Sequence, residues 1–249
     1  MMKRDRLKKL AGDKRFIPGI YNYCDRWCER CPQTARCLTF ASLEEDSDPE
    51  AQDIRNEAFW KKLSGIFEET LDLLRESAKK WGIDIETLDS TDDMESMKAR
   101  DDATENHLLC RAARSYSKMV EDWLKEKETL LFETAAAARE GVDLDEAFEV
   151  IRWYQYLICA KIMRAVRGAI EDEEGPCDEF PSDSDGSAKI ALIAIDRSIA
   201  AWAVIHAYRD EGVLDIISFL DRLRQAVEKA FPRARSFIRP GFDRVDANG

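Results

Sequence analysis

Apolar residues recur along this chain at the three- and four-residue spacing of helices, and nowhere do they alternate as strands require. Phe59, Leu63, Ile66, Phe67, Thr70, Leu74 and Trp81 mark a first amphipathic helix. The Asp48-Pro49 pair after a polar linker predicts its start, and Gly82 predicts its stop. A second, very long pattern from about Asp92 to Arg139 places Leu109, Ala112, Tyr116, Met119, Val120, Trp123 and Leu124 on one face, with Gly141 beyond its end. A third helix opens after Asp143 and is apolar nearly all round, which predicts a central position.

The run EEGPCDEFPSDSDGS is a loop by composition, and the fourth helical stretch after it is again apolar on most sides. Its length matches a membrane span, but Asp196 and Arg197 at its centre predict a core helix, each residue pairing with a neighbouring element. A fifth helix carries Ile216, Phe219, Leu220, Leu223, Val227 and Phe231, and Pro232 ends it. The tail's Phe237, Ile238 and Phe242 around Pro240-Gly241 predict an ordered, packed loop.

The predicted class is all-α: a bundle of about five helices over 48–232, preceded by a short cysteine-rich module at 16–40 and a basic arm at 1–15, and followed by a packed tail at 233–249. With 249 residues and 45% apolar content the chain can bury a substantial core. Abundant Ala, Glu, Lys, Arg and Leu, with few Gly and Pro, favours helices.

Chemistry concentrates at one place. Four of the seven cysteines, Cys24, Cys28, Cys31 and Cys37, fall within fourteen residues in YNYCDRWCERCPQTARC. The opening MMKRDRLKKLAGDKR holds no apolar run of the kind that directs secretion, which argues against disulfides and for a cytoplasmic setting. A redox C-x-x-C pair at Cys28 and Cys31 would leave two thiols unexplained. Four thiols so close point to a thiophilic metal, iron–sulfur or zinc. The spacing C-x3-C-x2-C-x5-C lacks the paired C-x2-C of common zinc sites, and Pro32 directly follows Cys31, so iron–sulfur is favoured.

The first three cysteines share the spacing of radical S-adenosylmethionine enzymes. However, Cys37 would close the iron that family leaves open, Arg30 stands where an aromatic usually precedes the last cysteine, and no barrel pattern follows. The ten residues Cys28-x2-Cys31-Pro-x4-Cys37 resemble the closing cysteine run of cluster-bearing nucleases. That resemblance implies a cluster and carries nothing about nuclease chemistry. The remaining Cys110, Cys159 and Cys177 read as buried or free thiols.

The net charge of −12 is uneven. Residues 1–15 carry seven bases against two acids, and the tail from Phe231 carries four arginines against two acids. The favoured reading is that these ends dock on the acidic body or that the first residues are a solvated arm. A local nucleic-acid contact, with Tyr21, Tyr23 and Trp27 stacking on bases, is the less favoured one.

Helical phases place Asn56, Glu105, Gln155 and His206 on apolar faces, and Glu105, Gln155 and His206 form a candidate interior polar site. A di-iron carboxylate site fails for want of Glu-x-x-His pairs, since neither His107 nor His206 follows a Glu by three. Nucleotide-binding and hydrolase signatures are absent. The sequence therefore predicts a metal-binding protein whose centre is structural or electron-transferring and which binds an unknown protein partner without a membrane. An enzyme with a pocket between the helices and a nucleic-acid-binding module are the alternatives.

Overall fold

The computed structural model describes residues 9–10, 12–43, 50, 53–83, 90–138, 144–174, 183–207 and 212–243. The basic arm as far as Lys8, Asp48 and Pro49, Gly141, Cys177 with most of its loop, and the last six residues lie outside the described residues; the helix expected to start at Asp48-Pro49 begins instead at Glu57, because residues 54–56 form a turn. The described chain is all-helical: α1 (Leu38–Leu43), α2 (Glu57–Trp81), α3 (Ser90–Asn106), α4 (Leu108–Ala138), α5 (Leu144–Glu174), α6 (Ser184–Ala207) and α7 (Val213–Ala230). Single 3₁₀ turns occupy Ile20–Tyr23, Cys28–Arg30, Thr34–Arg36 and Ala234–Ser236.

Local chemistry sets the helix ends. Asn56 was expected on an apolar face; it is instead the N-cap of α2, its side-chain oxygen accepting the Ala58 N–H at 3.0 Å. A polar residue at the right helical phase one position before a helix is better placed to satisfy an orphan donor than to enter a core. Gly82 stops α2 as expected, at φ +71° in the left-handed region, and the Ile83 N–H donates to the Ala78 carbonyl at 2.9 Å. The second predicted helix is two. At His107 the imidazole Nδ1 accepts the Leu109 N–H (3.2 Å) and the backbone carbonyl accepts the Arg111 N–H (3.0 Å), so His107 caps a new helix.

The chain divides into two compact units, 1–21 with 28–96 and 22–27 with 97–249. In the first, Ile20 is buried and the Ile17 N–H donates to the Arg36 carbonyl at 3.0 Å, which closes the turns around the later cysteines. α2 carries much of its apolar face in solvent: Trp60, Ile66, Phe67, Leu71, Leu74 and Trp81 are all exposed.

In the second unit α4 packs on α5, α5 on α6, α6 on α7 and α7 on α4, a closed four-helix arrangement joined at one end by α3, whose Thr104 is buried. The centre is aromatic. Trp202 is fully buried, lies edge-on to Trp123 at 4.8 Å and donates its indole N–H to the Tyr116 hydroxyl at 3.2 Å. Burial pushes the Tyr116 phenol up to about 12. α6 is, among the described residues, the one helix long and apolar enough by composition to cross a membrane, and it sits in the bundle core.

The two charges at the middle of α6 find partners on neighbouring elements. Asp196 pairs with Arg235 at 2.6 Å, and Arg197 with Asp25 at 2.7 Å.

Candidate metal centre

The four cysteines sit on turns. Cys28 opens a 3₁₀ turn and its carbonyl accepts the Cys31 N–H at 3.2 Å. Cys37 ends the next turn, donating to the Thr34 carbonyl at 3.1 Å and accepting the Ala41 N–H that begins α1. All four are of intermediate burial and none is in a disulfide. Two sulfurs accept backbone N–H groups from two residues on: Gln33 N–H to Cys31 Sγ at 3.4 Å, and Arg26 N–H to Cys24 Sγ. Arg26 has φ +60°, the one non-glycine in that region among the described residues. A left-handed residue costs an arginine roughly 1–2 kcal/mol, so the surroundings of the Cys24 turn must hold it.

Those surroundings belong to the second unit. The Trp27 ring stacks on Trp153, centroids 5.0 Å apart, and meets Tyr154 edge-on. The Trp153 indole N–H donates to the Asp25 carbonyl at 2.9 Å. The Asp25 carboxylate accepts the Tyr154 hydroxyl at 2.8 Å and Arg197, which also bonds the Tyr154 oxygen. Burial, then the neighbouring Asp25, pushes the Tyr154 phenol up to about 12. On the other side of Cys24, buried Lys161 donates to the Asn22 carbonyl at 2.9 Å, and burial holds its ammonium below the usual lysine range. The Tyr23 ring lies against Gly186 and Phe237, the latter 4.8 Å away. Burial likewise lifts the Cys24 thiol. Nothing local in the sequence marks Asp25, Trp153, Tyr154, Lys161 and Arg197 as one cluster, because more than a hundred residues separate Asp25 from its partners.

Among the described residues, no group of three or more His, Cys, Asp and Glu side chains is gathered in a geometry that holds a metal ion. The donor chemistry fits a thiophilic centre: four cysteines outside any disulfide within fourteen residues, two of them already accepting N–H groups. Cys110 is fully buried and its thiol is pushed up to about 11, while Cys159 is half-buried with its sulfur 3.9 Å from Met163 Sδ.

Glu105, Gln155 and His206 take separate positions. Glu105 is exposed on the last turn of α3 and pairs with Arg114 at 3.6 Å. A carboxylate one residue from a helix end reaches water more cheaply than a core. Gln155 is buried, its amide N–H donating to the Arg152 carbonyl at 3.4 Å while its Oε1 has no hydrogen-bond partner. His206 is half-buried near the end of α6. α5 and α6 run antiparallel with Tyr154 beside Arg197 and Gly168 beside Ser184, so His206, nine residues past Arg197, lies about 13 Å along the axis from the Tyr154 level and further still from Gln155.

The basic tail docks on acidic residues of its own unit. Arg233 pairs with Asp185 at 3.0 Å, Arg235 with Asp196 and with Glu228 at 2.7 Å, and Arg239 with Asp243 at 2.8 Å. The rings of Tyr23 and Trp27 are likewise engaged within the protein. The class these features define is a helical-bundle protein with a cysteine-rich segment near its start. No family model matches the chain, and neither any curated protein nor any solved structure matches it.

Proposed function

We propose that Cys24, Cys28, Cys31 and Cys37 ligate one thiolate-held centre, an iron–sulfur cluster in preference to zinc, in a cytoplasmic protein of about five bundle helices that binds a protein partner. The observation that carries this is the four-cysteine spacing within fourteen residues, supported by the two N–H groups already directed at cysteine sulfurs. At Cys24 the Arg26 N–H favours the charged sulfur, against the larger lift from burial. Bound, such a centre supplies either cross-linking of the turns or one-electron transfer. Four protein ligands leave no open coordination position, which favours a structural or electron-transferring role over catalysis at the metal. The paired tail arginines and the engaged rings of Tyr23 and Trp27 weigh toward a protein partner over nucleic acid.

Anaerobic purification followed by visible absorption and by iron, sulfide and zinc analysis tests the proposal. The expected result is a brown protein with iron and acid-labile sulfide, and loss of most metal on replacing any one of the four cysteines by Ser. Full metal content in the quadruple Cys→Ser variant would refute it.

A further inference from the structure

α2 presents an apolar stripe that nothing described in the chain explains. With Trp60 at heptad position a, the a positions are Trp60, Phe67, Leu74 and Trp81, all large and all at least half exposed, from 53% to 76%. The d positions are Leu63, Thr70 and Ser77, none of them aromatic and two of them small and polar. Every charged residue from Lys61 to Lys79 falls on b, c or f, away from the stripe. With Ile66 and Leu71 also exposed, and side chains of this kind offering roughly 150–250 Å² each when aromatic, the open apolar area is roughly 700 Å². That exceeds the ~300–600 Å² of the largest patch on a typical monomer. It approaches the ~800 Å² that each partner contributes to a stable interface.

From this pattern we infer that α2 is a homodimerisation helix, pairing antiparallel with α2 of a second copy. Antiparallel pairing sets each a residue against a d residue of the other chain, so Trp60 meets Ser77, Phe67 meets Thr70 and Leu74 meets Leu63. Parallel pairing would stack Trp on Trp and Phe on Phe at a, and leave Thr and Ser layers underfilled at d. The positions that flank the seam, from Phe59 to Ala78, are uncharged, so two copies meet without like-charge repulsion in either direction. The area needed is present on one helix, and a two-fold axis supplies the complementary surface without a further gene product.

The test is the mass of the full chain in solution by sedimentation and light scattering at about 1–50 μM. The expected mass is twice 28.6 kDa. Phe67→Glu with Leu74→Glu, two exposed positions, should reduce it to one copy while the helical circular dichroism signal is kept. A photo-crosslinking residue at Trp60 should label the other copy near Ser77. Wild-type protein at the mass of one copy throughout that range would overturn the inference and leave the face to a different partner. A charged variant that stays dimeric would also overturn it, and crosslinks confined to Trp60 of both copies would overturn the antiparallel arrangement.

Discussion

Gly186→Ala is the most informative single change in the bundle. Gly186 is the third residue of α6 and is buried. A Cβ built there would collide with Tyr23 Cε1, and would lie 2.7 Å from Tyr23 Cδ1 and 2.9 Å from Phe237 Cζ. Carbon atoms pack at about 3.5–4.0 Å, so the Tyr23 ring must retreat by about 1 Å. The ring has little freedom to do so, since Phe237 backs it and Lys161 holds the preceding Asn22 carbonyl. Overpacking of this kind costs about 1–3 kcal/mol. Replacing Gly by Ala inside a helix returns about 0.5–1 kcal/mol, and less in a first turn. The net expectation is a loss of about 1–2 kcal/mol, or a fall in Tm of about 3–6 °C for a unit of this size.

Urea and thermal unfolding, followed by circular dichroism and by tryptophan fluorescence that senses the Trp27–Trp153 stack, measure it. Gly65→Ala is the counterpart. Nothing lies within 4 Å of a Cβ at Gly65, in the middle of α2, so that variant should gain about 0.5–1 kcal/mol. A Gly186→Ala protein as stable as wild type would show that the Tyr23 ring does not rest on α6, and would undo the account of how the Cys24 segment is held.

Tyr116→Phe should cost about 1–3 kcal/mol in urea unfolding, because it leaves the buried Trp202 N–H without its acceptor; a neutral result would mean the pair is not formed. The Arg239 guanidinium, with Lys189 and the Arg239 N–H, holds the Asp243 carboxyl well below the usual carboxylate range. Its contribution to stability is therefore full above about pH 4, the unfolded-chain value, and is lost as pH falls toward the depressed folded value. The stability difference between wild type and Asp243→Asn should be constant from about pH 5 to 8 and shrink below about pH 4, and a difference that grew on acidification would contradict this. Asn56→Ala should cost about 1 kcal/mol of α2 stability by removing the cap on Ala58, read as lost helicity in thermal melts.

Helical periodicity made the architecture legible because burial of one face leaves the same spacing whatever the face meets. It predicted α2, α5, α6 and α7, the Gly82 stop and the Pro232 end, and the two charges of α6 announced partners on other elements. The same signal misleads at helix ends. Asn56 and Glu105 have the phase of core residues, yet sit within a residue of a terminus, where a side chain can cap or reach solvent. His107 lies inside an unbroken pattern, and only its side-chain bond to Leu109 shows why one long helix became two. The phases of Gln155 and His206 identified turned-in faces but not their height along the bundle. The four-cysteine spacing was legible because all four positions fall within fourteen residues of sequence. The cluster that seats Cys24 was not, since it rests on pairs 128, 129, 139 and 172 residues apart.

Those separations have a temporal side. On the ribosome, Asn22–Trp27 emerges long before Trp153, Lys161, Arg197 and Phe237 exist. At about 5–20 residues per second, about 10–40 s pass between synthesis of Trp27 and of Phe237. Throughout that interval the stretch bearing Asp25, Trp27 and the Cys24 thiol has no seat, and closing loops of this length is among the slower steps of folding. A residue written early in the chain is thus placed late in the fold, and its thiol is open to chemistry in the nascent protein that the finished bundle half conceals.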